Sequence, residues 1–164
     1  MDISTLLYFL KLSDFVVNKN CEGITHEDSL LHPQGGAHCI NWVIGHIVKT
    51  RNEVSGLLGK EPLYPASNFA AYTPDDFTPQ KAVPFEELKR SFHELQKSME
   101  VEISSLTPER MLHPASFSPT RNPDETVGSL LGTILWHEAY HAGQLGIVRR
   151  EIGKIGVIKN PEGK

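Results

Sequence analysis

The stretch that decides the fold is LLGTILWHEAYHAGQLGIV, Leu130 to Val148. Leu130, Leu131, Ile134, Leu135, Leu145 and Val148 give it an apolar face of helical period. The segment therefore reads as a helix through the core, from about Glu125 to Ile152, closed by Gly153-Lys154. Within it, His137 and His141 stand four residues apart, one turn above each other, so both imidazoles can reach a single ion. Two imidazoles in an apolar interior are unfavourable unless something binds them. The alternative is a histidine pair hydrogen-bonded to other buried groups.

His137-Glu138-x-x-His141 is also the zinc-protease spacing, with two ligands and a general base. That reading needs a third ligand. The longer protease type places a His six residues after the second, where this chain has Ile147, and position 144 is Gln. The other type takes a Glu from a later helix, but only Glu151, on the same helix, and Glu162, in the tail, follow. A peptidase is not expected.

Three further helices are expected upstream. The first spans about Ile3 to Asn20, with Ile3, Leu6, Leu7, Leu10, Ser13/Asp14 and Val17 on one face and Asp2 as cap. HPQGG at 32–36 breaks the chain. The second runs from Ala37 to Leu58 on a stripe of Ile40, Val43, Ile44, Ile47, Val54 and Leu57/Leu58. The third starts at Pro84 and ends near Leu106, with Phe85, Leu88, Phe92, Leu95, Met99 and Ile103 buried. Proline-rich connections separate them, the longest from 59 to 84. Long loops in small domains often lie beside a functional site. The expectation is one all-α domain over 1–164, a four-helix bundle with its core at about 3–153 and a polar tail.

The 164 residues carry a net charge of -4, with Lys and Arg scattered, which argues against a nucleic-acid partner. No segment approaches the roughly 18 to 20 apolar residues of a membrane span. Two cysteines are too few for a disulfide framework, so a cytoplasmic protein is expected. Cys39 reads as a small buried residue.

Of the other histidines, His26, His32 and His113 fall in expected loops and read as solvated, and His93 follows an apolar stripe and reads as a surface residue. His46 is different. It follows Gly45 in the middle of the second helix, among Val43, Ile44 and Ile47. A bundle that sets the second helix against the fourth would place His46 opposite the pair, with Gly45 allowing close approach of the two helices or serving simply in packing. A lone histidine on such a helix is equally a core residue with a partner.

Trp42-Val-Ile-Gly-His46 together with His137-Glu-Ala-Tyr-His141-Ala-Gly-Gln144 resembles the DinB/YfiT-like superfamily of metalloenzymes, over nearly the whole chain. The resemblance implies an up-down-down-up four-helix bundle, commonly a homodimer. It implies one divalent metal, usually nickel or zinc, held by His46, His137 and His141. It also implies thiol-dependent chemistry, since relatives include transferases and isomerases that use bacillithiol, mycothiol or glutathione; the expectation here is an S-transferase acting on a small electrophile.

Three neutral imidazoles leave an ion's charge in place and coordination positions open, so it can acidify a bound water or thiol. Gln144 lies near the same helix face as the pair, where it can bond a ligand or simply pack. Glu138 can serve as general base to a water, or be ion-paired. Trp42 and Glu53 share the face of His46, Trp42 as packing and Glu53 as a carboxylate that could orient an imidazole or face a pocket. Two other readings stand beside the transferase: a metal hydrolase using Glu138, and a non-catalytic metal-binding or stress-related protein whose ion staples the bundle.

Overall fold

The computed structural model describes residues 1–157. It contains four long helices, α1 (Ile3–Cys21), α3 (Ile40–Leu57), α4 (Phe85–Ser104) and α6 (Val127–Glu151), and two short ones, α2 (His26–Leu30) and α5 (Pro108–Leu112). Among the described residues there is no strand, only a single antiparallel bridge between Pro114 and Thr126.

The expected stripes are the buried faces. Leu6, Leu10 and Val17 of α1, and Phe85, Leu88, Phe92, Leu95, Met99 and Ile103 of α4, all lie in the core. Asp2 caps α1 through the Thr5 N–H, as expected. The second helix begins at Ile40, three residues later than its pattern indicated, with Cys39 at its N-cap. Both short helices fall in segments read as loops. Thr25 and Asp28 form a reciprocal capping box at α2, and Thr107 caps α5 ahead of Pro108. His26 is thus not a loop residue. It opens α2, and its Nδ1 accepts the otherwise unpaired N–H of Phe85 at the start of α4.

α1 and α3 each pack on both α4 and α6, so the long helices form a ring in the order α1, α4, α3, α6. Side-chain pairs fix their directions. Ser13 meets Glu138, and Arg149 donates to the Asn20 carbonyl, so α1 and α6 are parallel. Trp42 faces His141 while Arg51 meets Glu138, so α3 runs against α6. Arg51 reaches the Phe92 carbonyl and Ser55 the Glu102 carboxylate, so α3 and α4 are parallel. The bundle is up-down-down-up.

That topology explains the long connection after α3. Two parallel neighbours of 18 and 20 residues can be joined only by a segment that returns along roughly 30 Å of bundle, at 1.5 Å per helical residue. Residues 58–84 make this return, with 3-10 turns at Ala66–Phe69 and Pro79–Lys81. Phe69 and Tyr72 are buried, so the segment is packed rather than loose. Gly45 permits this. A Cβ there would come within 2.0 Å of the Tyr72 ring, so Gly45 makes room for the crossover and not, as expected, for α6.

The core falls into two apolar clusters. One gathers Val17, Ile47, Phe92 and Ala142, the other Leu10, Val54, Met99 and Leu135. Between them, on α1, α3 and α6, lie Ser13, Arg51 and Glu138, all buried. After α6, Gly153 takes a φ of 83°, and Arg149 donates to the Ile155 carbonyl, which draws the following residues back onto the bundle. The rest of the expected polar tail, from 158 on, lies outside the described residues.

Candidate metal centre

The ring of helices sets the middle of α3 against the middle of α6, and three imidazoles converge there. His137 Nε2 lies 3.3 Å from His46 Nε2 and 3.0 Å from His141 Nε2. Metal–nitrogen bonds of about 2.0 to 2.1 Å place two ligand nitrogens about 3.3 Å apart at a tetrahedral angle and about 2.9 Å apart at a right angle. These two separations match those values, and the three ligand atoms together lie within 4.8 Å of one another.

The protonation pattern is built in by neighbours. His46 Nδ1 lies 3.0 Å from the Tyr72 carbonyl, which can only accept, so Nδ1 carries the proton and Nε2 offers its lone pair. His141 Nδ1 donates in the same way to Gln144 Oε1 at 2.7 Å, and the Gln144 amide in turn donates to the Tyr140 hydroxyl at 3.2 Å. Two lone pairs therefore face His137 Nε2. A proton on that atom can bond one neighbour at a time, whereas a cation satisfies all three nitrogens. The donor set fits a divalent ion.

Burial depresses the basicity of all three imidazoles. For His141 it brings the pKa to about 4, against the opposing pull of the Gln144 bond. In His46 the Tyr72 carbonyl opposes it, and in His137 the nearby His46 adds to it. The group is neutral near pH 7, the form that ligates metal.

Trp42 stacks face to face on His46 at 4.8 Å and on His38 at 3.6 Å, with its indole N–H on the Thr73 carbonyl. It is the packing residue expected, sealing one flank of the site. Glu53 does not orient an imidazole. Its carboxylate is exposed and accepts from Lys49 at 2.6 Å, on the wall of a cleft beside His137.

Glu138 is placed elsewhere than a general base would be. Arg51 grips its carboxylate through Nε at 2.8 Å and Nη2 at 2.6 Å, and the Ser13 hydroxyl donates to the same group. Arg51 is fully buried and Glu138 is 2% exposed. Arg51 also lies 3.9 Å above the Phe92 ring and donates to the Phe92 carbonyl. The residue after His137 thus faces the core, about a hundred degrees round the helix.

The sequence reading missed two contributors. Arg51 has no place in the histidine motifs, yet it is fully buried in α3, where a guanidinium needs a carboxylate partner. Tyr72 acts through its backbone carbonyl, which no side-chain pattern reveals. Only Gly45, where something large had to fit, hinted at it.

A family model described as the DinB superfamily matches residues 17–145. Among solved structures, a conserved protein from Enterococcus faecalis superposes with a TM-score of 0.75 at 16% identity, over 93% of this chain and 98% of that one. At that identity the likeness speaks for the fold. No curated protein matches the chain.

Proposed function

Because this chain belongs to the DinB superfamily, and because three imidazole Nε2 atoms converge between α3 and α6, we propose that it is a metal-dependent thiol S-transferase. His46, His137 and His141 would hold a nickel or zinc ion as neutral ligands, and such an ion would keep its full charge and acidify a thiol or water beside it. His46 and His141 hold their protons on Nδ1, through Tyr72 and Gln144, so that both Nε2 atoms stay available. Trp42 covers the His46 ring and keeps water from that side.

The observation that favours thiol transfer over hydrolysis is the state of Glu138. Its carboxylate is bound by Arg51 and Ser13, so the residue that a hydrolase reading would use to activate water is committed to the core. A thiol brings its own nucleophile and needs no such base once its proton is labile. In the reaction a sulfur–carbon bond forms, a leaving group departs, and the thiol proton passes to solvent. The two cysteines are free and buried, in keeping with a reducing cytoplasm.

A second copy of the chain is the partner we assign to the outer face of α1 and α6. Phe9, Leu12, Phe15 and Ile147 are exposed on these helices, and Phe9, Leu12, Ala139 and Gly143 line a shallow apolar groove between the two.

The test is turnover of 1-chloro-2,4-dinitrobenzene with glutathione or bacillithiol by zinc- or nickel-loaded protein. Conjugate formation should depend on both thiol and metal and vanish in His46→Ala. A metal-loaded protein that turns over no electrophile with any thiol would leave the ion as a structural staple.

A further inference from the structure

We propose that the cleft beside His137 binds the uncharged apolar body, aryl or alkyl, of the electrophilic substrate. This rests on the transferase reading and deepens it by separating where the electrophile lies from where the thiol lies. The cleft has a volume of about 560 Å³ and opens between α3, α6 and the segment before α6. That volume is within the range of small-molecule sites, roughly 300 to 1,000 Å³.

Its walls are Leu57, Phe117, Pro119, Ile134 and Trp136, with His137 at one end. Three polar groups on the wall are already engaged, Thr120 with the Ser118 hydroxyl among them. Thr133 donates to the Ser129 carbonyl at 3.1 Å, and Glu53 accepts from Lys49. No arginine or lysine lines it. A thiol cosubstrate bearing carboxylates would meet apolar walls and the Glu53 carboxylate here, a mismatch in both solvation and charge. An uncharged apolar molecule would instead cover Trp136 and Phe117, which are 70% and 49% exposed. A ligand seated against these rings ends at the His137 imidazole, which puts its reactive carbon beside the three-histidine group.

The probe is N-phenyl-1-naphthylamine, neutral and fluorescent in apolar surroundings, set against its anionic relative 1-anilinonaphthalene-8-sulfonate. The neutral probe should bind, and the sulfonate at least about tenfold more weakly. Phe117→Asp, on a half-exposed loop position, and Thr133→Trp, which fills the cleft, should each weaken the neutral probe by about tenfold or more. Leu112→Asp, exposed on α5, should not. On cobalt-loaded protein the probe's proton signals should broaden beyond those on zinc-loaded protein, placing it near the histidines.

Equal affinity in wild type and Phe117→Asp, or a preference for the sulfonate, overturns the proposal. So does a probe affinity that falls as protein concentration rises, which would give the cleft to a second copy. The fluorescence comparisons are made on metal-free protein as well. Absence of thiol turnover or of metal therefore sinks the transferase reading without deciding the cleft, and loss of cleft selectivity sinks the cleft without touching the metal.

Discussion

His141 shows how much of the site is made by its neighbours. One nitrogen is tied to Gln144 and the other points at His137, so the ring has no freedom to turn away. Its basicity, lowered to about 4 by burial, makes stability depend on pH in a definite direction. The unfolded chain takes up protons at the ordinary histidine value of about 6.5, and the folded one resists them. Stability from this group is complete above pH 6.5 and is lost as pH falls toward 4; His46 and His137 act in the same sense. The melting temperature of metal-free protein should fall steadily between pH 7 and 4.5. A flat profile over that interval would mean that these imidazoles are not desolvated. The sequence made the histidines legible because helical spacing alone aligns 137 with 141. The Tyr72 carbonyl was illegible because every residue carries a carbonyl, and only the path of the crossover decides which one arrives.

α3 and α6 are held in register by the Arg51–Glu138 pair as well as by apolar packing. Glu138 adjoins His137, and Arg51 lies about a turn and a half beyond His46. Breaking a buried pair by removing one partner costs about 3 to 5 kcal/mol, because a charge is left unpaired in the core. Arg51→Met or Glu138→Met should each destabilise the protein to that extent. The double substitution should recover most of the loss. Denaturant unfolding of the two single variants and the double variant checks this, and losses that simply add would show the pair to be uncoupled. The four long helices were readable because each buries one continuous stripe, and α4 is the clearest case, with six expected positions in the core. The two five-residue helices are too short for a stripe. Their signals are local, in Thr25-x-x-Asp28 and Thr107-Pro108, inside segments that otherwise read as loops.

The up-down-down-up order makes one crossover span the length of the bundle, and that crossover supplies the backbone that orients His46. Fold and site are therefore joined through residues 58–84, a segment with no helical pattern. On the opposite side, the exposed apolar strip of α1 and α6 calls for a partner. Sedimentation should show a dimer, and Leu12→Asp should give a monomer; a wild-type chain that stays monomeric at high concentration would leave that face to another occupant. Among the described residues no helix is long and apolar enough to cross a membrane.

The central claim is that one ion is held between α3 and α6 by three histidines. Metal content of untagged protein, measured by plasma mass spectrometry after reconstitution and dialysis, tests it most directly. Wild type should retain about one equivalent per chain and His46→Ala only a small fraction of that, since two imidazoles on one helix hold a divalent ion weakly. Equal metal in the two proteins would show that His46 is not a ligand and would contradict a site shared between the helices.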